Sequence, residues 1–141
     1  MIIHTDFFVS SMKASLEFYC DKLGFSVCED VVLNGAMVRR LSHSAHEKMR
    51  LVLLRVASVG SMIELVEFHS NPATPSNFAR PLGSVSILVS NLQDHMSRLL
   101  ERGVNANNEI FDMALPISGH FKVAFCYDPD GNCVEFVEMQ D

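Results

Sequence analysis

Two stretches of this chain place carboxylates in the same apolar frame. Met62-Ile63-Glu64-Leu65-Val66-Glu67-Phe68 and Cys133-Val134-Glu135-Phe136-Val137-Glu138-Met139 both read apolar, apolar, Glu, apolar, Val, Glu, apolar. A glutamate held among apolar neighbours can ligate a cation or carry a proton in general acid–base chemistry. The repetition makes Glu64 and Glu135 candidates for one site shared by two related halves. If they converged without a cation, like charges would raise one carboxyl pKa unless a ligand or His4 compensated. Alternation along a strand turns Glu67 and Glu138 to the opposite face, near the strand ends, where solvent is their expected surrounding.

The elements that must position these residues repeat as well. Val9-Ser10-Ser11-Met12 opens a helix-like run ending at Gly24, and Val89-Ser90-Asn91-Leu92 opens another ending at Gly103. A repeat of this length marks a duplicated module. In the first half the pattern predicts a strand over residues 2–9, a helix over 12–23 capped by Ser10 or Ser11, and a strand over 25–33. Met12, Leu16, Tyr19, Cys20 and Leu23 form the apolar stripe of that helix, and Gly24 stops it. Asn34-Gly35 signals a turn, residues 36–42 allow a short helix or a strand, and 49–56 pairs with 61–68 around Gly60.

The second half predicts a strand over 84–89, a helix over 92–102, a strand over 104–110 and a loop over 111–118. Strands over 121–127 and 133–139 flank Asp128-Pro129-Asp130-Gly131-Asn132, which suits a type I turn followed by a left-handed glycine. With that turn, Phe121, Val123 and Phe125 share a face with Glu135, and His120 does not. The polar, Pro-containing run at 71–77 is the natural linker. The chain thus divides into a first module at 1–70, a linker at 71–82 and a second module at 83–141, together one compact domain.

Composition narrows the partners. The chain has 141 residues, 48% of them hydrophobic, and a mean hydropathy of +0.18, enough for a core and for a subunit interface. A formal net charge of −6 argues against nucleic acid, which demands clustered Lys and Arg. No apolar run reaches the roughly 18–20 residues that a membrane span needs. The N-terminus shows no basic start followed by a long apolar stretch, so a cytoplasmic location is expected. Cys20, Cys28, Cys126 and Cys133 show no CxxC spacing and are expected as reduced thiols.

Several separated motifs occur in one order: His4 at the start of a strand, Glu17-Phe18-Tyr19 with Leu23-Gly24-Phe25, Ile63-Glu64-Leu65, and Asp128-Pro129-Asp130-Gly131-Asn132 before Val134-Glu135-Phe136. Over nearly its whole length the chain resembles the vicinal oxygen chelate superfamily, which includes glyoxalase I, epimerases, extradiol dioxygenases and bleomycin resistance proteins. The resemblance implies an α+β fold of two tandem βαβββ modules with curved, cup-shaped mixed sheets and helices outside. It implies a homodimer too.

It also implies metal ligands from the first and last strands of each module. Here those are His4, Glu64 and Glu135, with Ser84 where metal-binding members carry a stronger ligand. One imidazole and two carboxylates suit a divalent Zn, Ni, Mn, Co or Fe ion. Glu64 and Glu135 are the candidate proton carriers. Asp6, Ser84, Phe125 and Cys133 are expected to line the cavity, with Asp6 a possible extra ligand or base because it shares a face with His4.

The leading expectation is a glyoxalase- or epimerase-type lyase or isomerase that chelates vicinal oxygens of a small substrate. A metal-free small-molecule binding or resistance protein is the alternative, favoured by Ser84. An extradiol dioxygenase fits poorly, since its iron uses two His and one carboxylate. His43, His46 and His69 fall in loop-like stretches and are expected to face solvent. Residues 36–48 and 111–119 are the expected lids.

Overall fold

The computed structural model describes residues 4–42, 44–56, 60–69, 82–106, 109–117 and 119–140. The chain forms two compact units, Met1–Gly83 and Ser84–Asp141. Each holds one four-stranded sheet, in the orders β1-β4-β3-β2 and β5-β8-β7-β6. The expected linker at 71–82 falls almost wholly outside the described residues.

In the first unit, β1 (His4–Phe8) leads into α1 (Met12–Leu16), followed by β2 (Ser26–Asn34), α2 (Ala36–Leu41), β3 (Lys48–Arg55) and β4 (Met62–Phe68). β1 and β4 run parallel, with His4 opposite Met62 and Asp6 opposite Glu64, while β2, β3 and β4 are antiparallel neighbours. The second unit follows the same plan through β5 (Ser84–Leu88), α3 (Leu92–Glu101), β6 (Phe111–Leu115), β7 (Gly119–Tyr127) and β8 (Cys133–Gln140). β5 runs parallel to β8, with Ser84 opposite Cys133 and Ser86 opposite Glu135. The βαβββ order is therefore present twice, as the sequence predicts.

One face of each sheet packs on its helix. In the first unit Phe7, Val9, Val52, Leu54, Ile63 and Leu65 are buried behind the sheet together with Met12, Phe18 and Tyr19. The predicted single helix over 12–23 is α-helical only to Leu16 and continues as a π-helix over Glu17–Lys22. The wider turn brings adjacent Phe18 and Tyr19 both inward, their rings meeting edge to face at 4.9 Å. In the second unit Leu92, Met96 and Leu99 of α3 share the buried core with Ala124, Cys126, Val134 and Phe136.

Helix entry uses matching devices. Ser11 Oγ accepts from Ala14 N–H at 3.2 Å and Asn91 Oδ1 from Asp94 N–H at 2.9 Å. Glu67 and Glu138, expected in solvent, instead reach these same helix starts. Glu67 accepts from Met12 N–H at 2.5 Å, and Glu138 from Leu92 N–H at 2.6 Å. The reason is electrostatic: first-turn N–H groups lack helical partners, and the dipole there favours negative charge. That bond, chiefly, holds the Glu138 carboxyl below the usual carboxylate range.

Two further corrections concern the second unit. Residues 111–118 are not a loop, because Phe111–Leu115 form edge strand β6, paired with β7 from Phe111–Val123 to Leu115–Gly119. The described part of 104–110 is not a strand. Polar interruptions there favour an irregular connection, while alternating Phe111, Met113 and Leu115 suit one face of a sheet.

The ambiguous segment 36–42 resolves as α2, and it separates the halves. The first unit inserts this helix between its second and third strands, where the second unit has a short turn between β6 and β7. Val38 packs with Met49 and Val66, and Leu41 lies against the same cluster, which includes Phe8, Leu33, Leu51 and Phe68. These strand residues lie on the face that carries Glu64. Part of that face is therefore covered by α2.

Candidate functional site

Parallel pairing of β1 with β4 brings the chemistry of the first unit together. Alternation points His4 and Asp6 to one face, and the register sets Glu64 directly beside Asp6. His4 Nε2 lies 3.2 Å from Asp6 Oδ1 and 3.6 Å from Glu64 Oε2. One ligand atom from each of the three lies within 4.8 Å of the others. Glu64 is 12% exposed, against 35% for His4 and 34% for Asp6, so it sits deepest. Burial pushes its carboxyl pKa up, the Asp6 charge adds to the rise, and His4 opposes it. A buried carboxylate beside another carboxylate is stabilised by a cation or a proton.

Asp6, weighed from the sequence only as an extra ligand or base, is thus part of the one group of three or more candidate metal-ligating side chains found among the described residues. Its signal was the shared face with His4, and its register against Glu64 adds the contact that alternation alone cannot supply.

In the second unit Glu135 has a different setting. Ser86, which occupies the place of Asp6 at the same eighty-residue spacing that relates Val9 to Val89, donates its hydroxyl to Glu135 Oε1 at 2.8 Å. That spacing would also have singled out Ser86, a partner the sequence reading missed. Ser84 occupies the place of His4 and lies opposite Cys133. Phe125 lies directly opposite Glu135, and Val123 and Phe121 follow on the same face, as the turn type requires. His120 pairs with Gln140 on the other face and lines, with Asp112 and Phe121, an open cavity of about 420 Å³ at the β6 edge.

The turn itself is built as expected. Gly131 N–H donates to the Asp128 carbonyl at 3.0 Å, and Gly131 has a φ of 89°. The Asp128 carboxylate accepts from Asp130 N–H, Asn132 N–H and Asn132 Nδ2 at 2.8–2.9 Å, which fixes the register of β7 on β8.

The remaining histidines depart from expectation in part. His46 does not simply face solvent: its ring stacks on Phe68 at 4.9 Å, and its Nδ1 lies 3.3 Å from the His69 carbonyl. The flat imidazole is recruited by the apolar surface that α2 helps cover. His69 is half-buried, 3.7 Å from Glu67, and His43 lies outside the described residues. The four cysteines are free thiols. Cys126 points to the helix side and Cys133 to the opposite face, and burial, first of all, pushes the Cys126 thiol up to about 12.

No described helix is long and apolar enough to cross a membrane. Among known proteins, YurT of Bacillus subtilis strain 168 is 28% identical over 142 residues, covering 97% of this chain and 98% of that protein. A glyoxalase family protein from Enterococcus faecalis matches in structure with a TM-score of 0.65 at 24% identity, over 98% of this chain and 97% of that one. TnmS3, an antibiotic binding protein from Streptomyces sp. CB03234, matches with a TM-score of 0.65 at 19% identity, over 99% and 96% of the two chains. Both likenesses concern the fold. A sequence model of the Glyoxalase/Bleomycin resistance protein/Dioxygenase superfamily matches residues 1–136, and the chain belongs to that superfamily.

Proposed function

We propose that this protein is a small-molecule enzyme of the lyase or isomerase type that holds a divalent cation on His4, Asp6 and Glu64. The observation that carries the reading is the convergence of an imidazole nitrogen and two carboxylate oxygens within 4.8 Å of one another. That donor set suits Mn, Fe, Co, Ni or Zn, and a cation would offset the repulsion between Asp6 and Glu64. Asp6 supplies a third donor on the first unit, so the set does not depend on Ser84 or on Glu135.

When bound, the ion would polarise a carbonyl in a substrate that offers two neighbouring oxygens. His4 and Asp6 hold and orient. Glu64, the least exposed of the three, would move a proton at the carbon beside that carbonyl once its carboxylate is released from the ion.

The test is a titration of metal-stripped protein with Mn, Ni, Zn and Fe(II), reading ion content per chain. One ion per chain is expected, lost in His4→Ala and in Asp6→Asn, with both variants still melting cooperatively. Absence of saturable binding, or a full ion content in His4→Ala, overturns the reading. Loaded protein is then screened with 2-oxo aldehydes, thioesters and catechols, with deuterium exchange beside the carbonyl as the readout for Glu64.

A further inference from the structure

One glycine of the first unit is required by a neighbour rather than by its own backbone. Gly24, Gly35, Gly103 and Gly119 have φ between 74° and 99°, and a Cβ added to any of them would meet nothing within 4 Å. Gly83 is the reverse case. Its φ lies outside the left-handed region, and an added Cβ would overlap Cδ1 and Cε1 of the Phe7 ring. A glycine in that setting marks a close approach of backbone to side chain.

Phe7 has no room to give way. It is 0% exposed, and its ring lies 6.1 Å from that of Tyr19, which itself meets Phe18 at 4.9 Å and Phe25 at 5.8 Å. The ring is thus held between an aromatic cluster and the Gly83 backbone. Its strand, β1, lies at the edge of its sheet and is bonded to β4 alone among the described strands. Phe7 stands opposite Leu65, and on the adjacent rung Asp6 stands opposite Glu64. His4 and Asp6 project from the other face of the same strand.

From this arrangement we infer that Gly83 is a positioning residue for the cluster of His4, Asp6 and Glu64. Its missing side chain lets the backbone press on Phe7, and that contact holds β1 where Asp6 stands beside Glu64. Gly83 acts through Phe7, across the thickness of one strand. A methyl group at position 83 overpacks this contact, and a close-packed interior passes the displacement on to β1. His4 Nε2, now 3.2 Å from Asp6 Oδ1 and 3.6 Å from Glu64 Oε2, then loses that spacing. The use of the cluster to hold an ion rests on the proposed function, whereas the placement of β1 does not.

The test is a double-mutant cycle on the full chain in EDTA: parent, Gly83→Ala, Phe7→Leu and the two together. The Cε1–Hε1 signal of His4, identified by its loss in His4→Ala, is read by NMR at one pH. Gly83→Ala is expected to move that signal in the parent and to leave it in place in the Phe7→Leu background, because leucine lacks the ring atoms that the methyl strikes. A signal unmoved in the parent background, or moved equally in both, overturns the inference. If Gly83→Ala folds only in the Phe7→Leu background, with the His4 signal unmoved there, the contact is confirmed. Failure to fold in both backgrounds overturns the inference as well. Nickel titration without EDTA then reads the ion site. Affinity is expected to fall about tenfold or more in Gly83→Ala and to be insensitive to it in the Phe7→Leu background. Equal affinity in parent and Gly83→Ala overturns the inference. A parent that binds no nickel counts against the proposed function alone, and the His4 signal still decides the role of Gly83.

Discussion

His95 offers the sharpest test of how this fold balances its polar atoms. It sits on α3, its ring 4.4 Å from Phe136, and its Nε2 is buried with no hydrogen-bond partner. A buried polar atom without a partner costs about 1–3 kcal/mol, while the ring contact returns roughly 0.5–1.5 kcal/mol. Replacing His95 with Leu removes the unsatisfied atom and keeps most of the apolar volume. The expected net gain is about 1 kcal/mol, a shift of about 0.5 M in urea midpoint for a small protein.

Proton linkage sharpens this further. Burial lowers the His95 pKa below its ordinary value, and the Arg98 and Arg102 charges lower it more. The unfolded chain therefore binds a proton more readily than the native one, and native stability falls as pH drops through the ordinary histidine range toward the lowered value. The variant lacks that sensitivity. Urea unfolding of both proteins at pH 7.5 and pH 5.5 should show the gap widening in acid. A less stable variant, or a gap independent of pH, would refute the argument that Nε2 is left unsatisfied.

Glu138→Gln should lower the melting temperature at pH 7, because the carboxylate that receives Leu92 N–H loses its charge. Since the folded pKa is depressed, that contribution is present above about pH 4 and is lost as pH falls, so melting curves of parent and variant should converge in acid. Asp128→Ala should destabilise by about 3 kcal/mol, because buried Asn132 loses the acceptor for both its backbone N–H and its side-chain amide. Denaturant unfolding checks it, and a change below about 1 kcal/mol would show that water replaces those bonds.

The repeat was legible because it is carried by local signals. Ser11 and Asn91, the two Glu-containing strands and the Asp128 turn each announce themselves within a few residues, and each occupies its expected place. What escaped was set by contacts across the sequence. Nothing near Glu67 or Glu138 marks the helix start that each reaches, 55 and 46 residues away. Strand β6 was missed although Phe111, Met113 and Leu115 alternate, because five residues running into Pro116 read equally well as a loop. Asp6 was visible as a neighbour of His4, but its place beside Glu64 depends on the parallel register. The π-helical turn follows from packing two adjacent aromatics inward, which overrides the α-helical stripe read from Leu16 and Cys20.

The last strand of each unit carries two glutamates three residues apart, and an odd spacing on a pleated strand turns them to opposite sides. One of the pair, Glu67 or Glu138, ties the strand to a helix start, while the other, Glu64 or Glu135, looks the other way. A slip of one residue would therefore break the tie and bury the wrong acid in the same movement. The tie works as a gauge for the placement of its neighbour. Because the gauge lies on the side away from Glu64 and Glu135, the first strand is free to vary: His4 and Asp6 in one half, Ser84 and Ser86 in the other, over one unchanged frame.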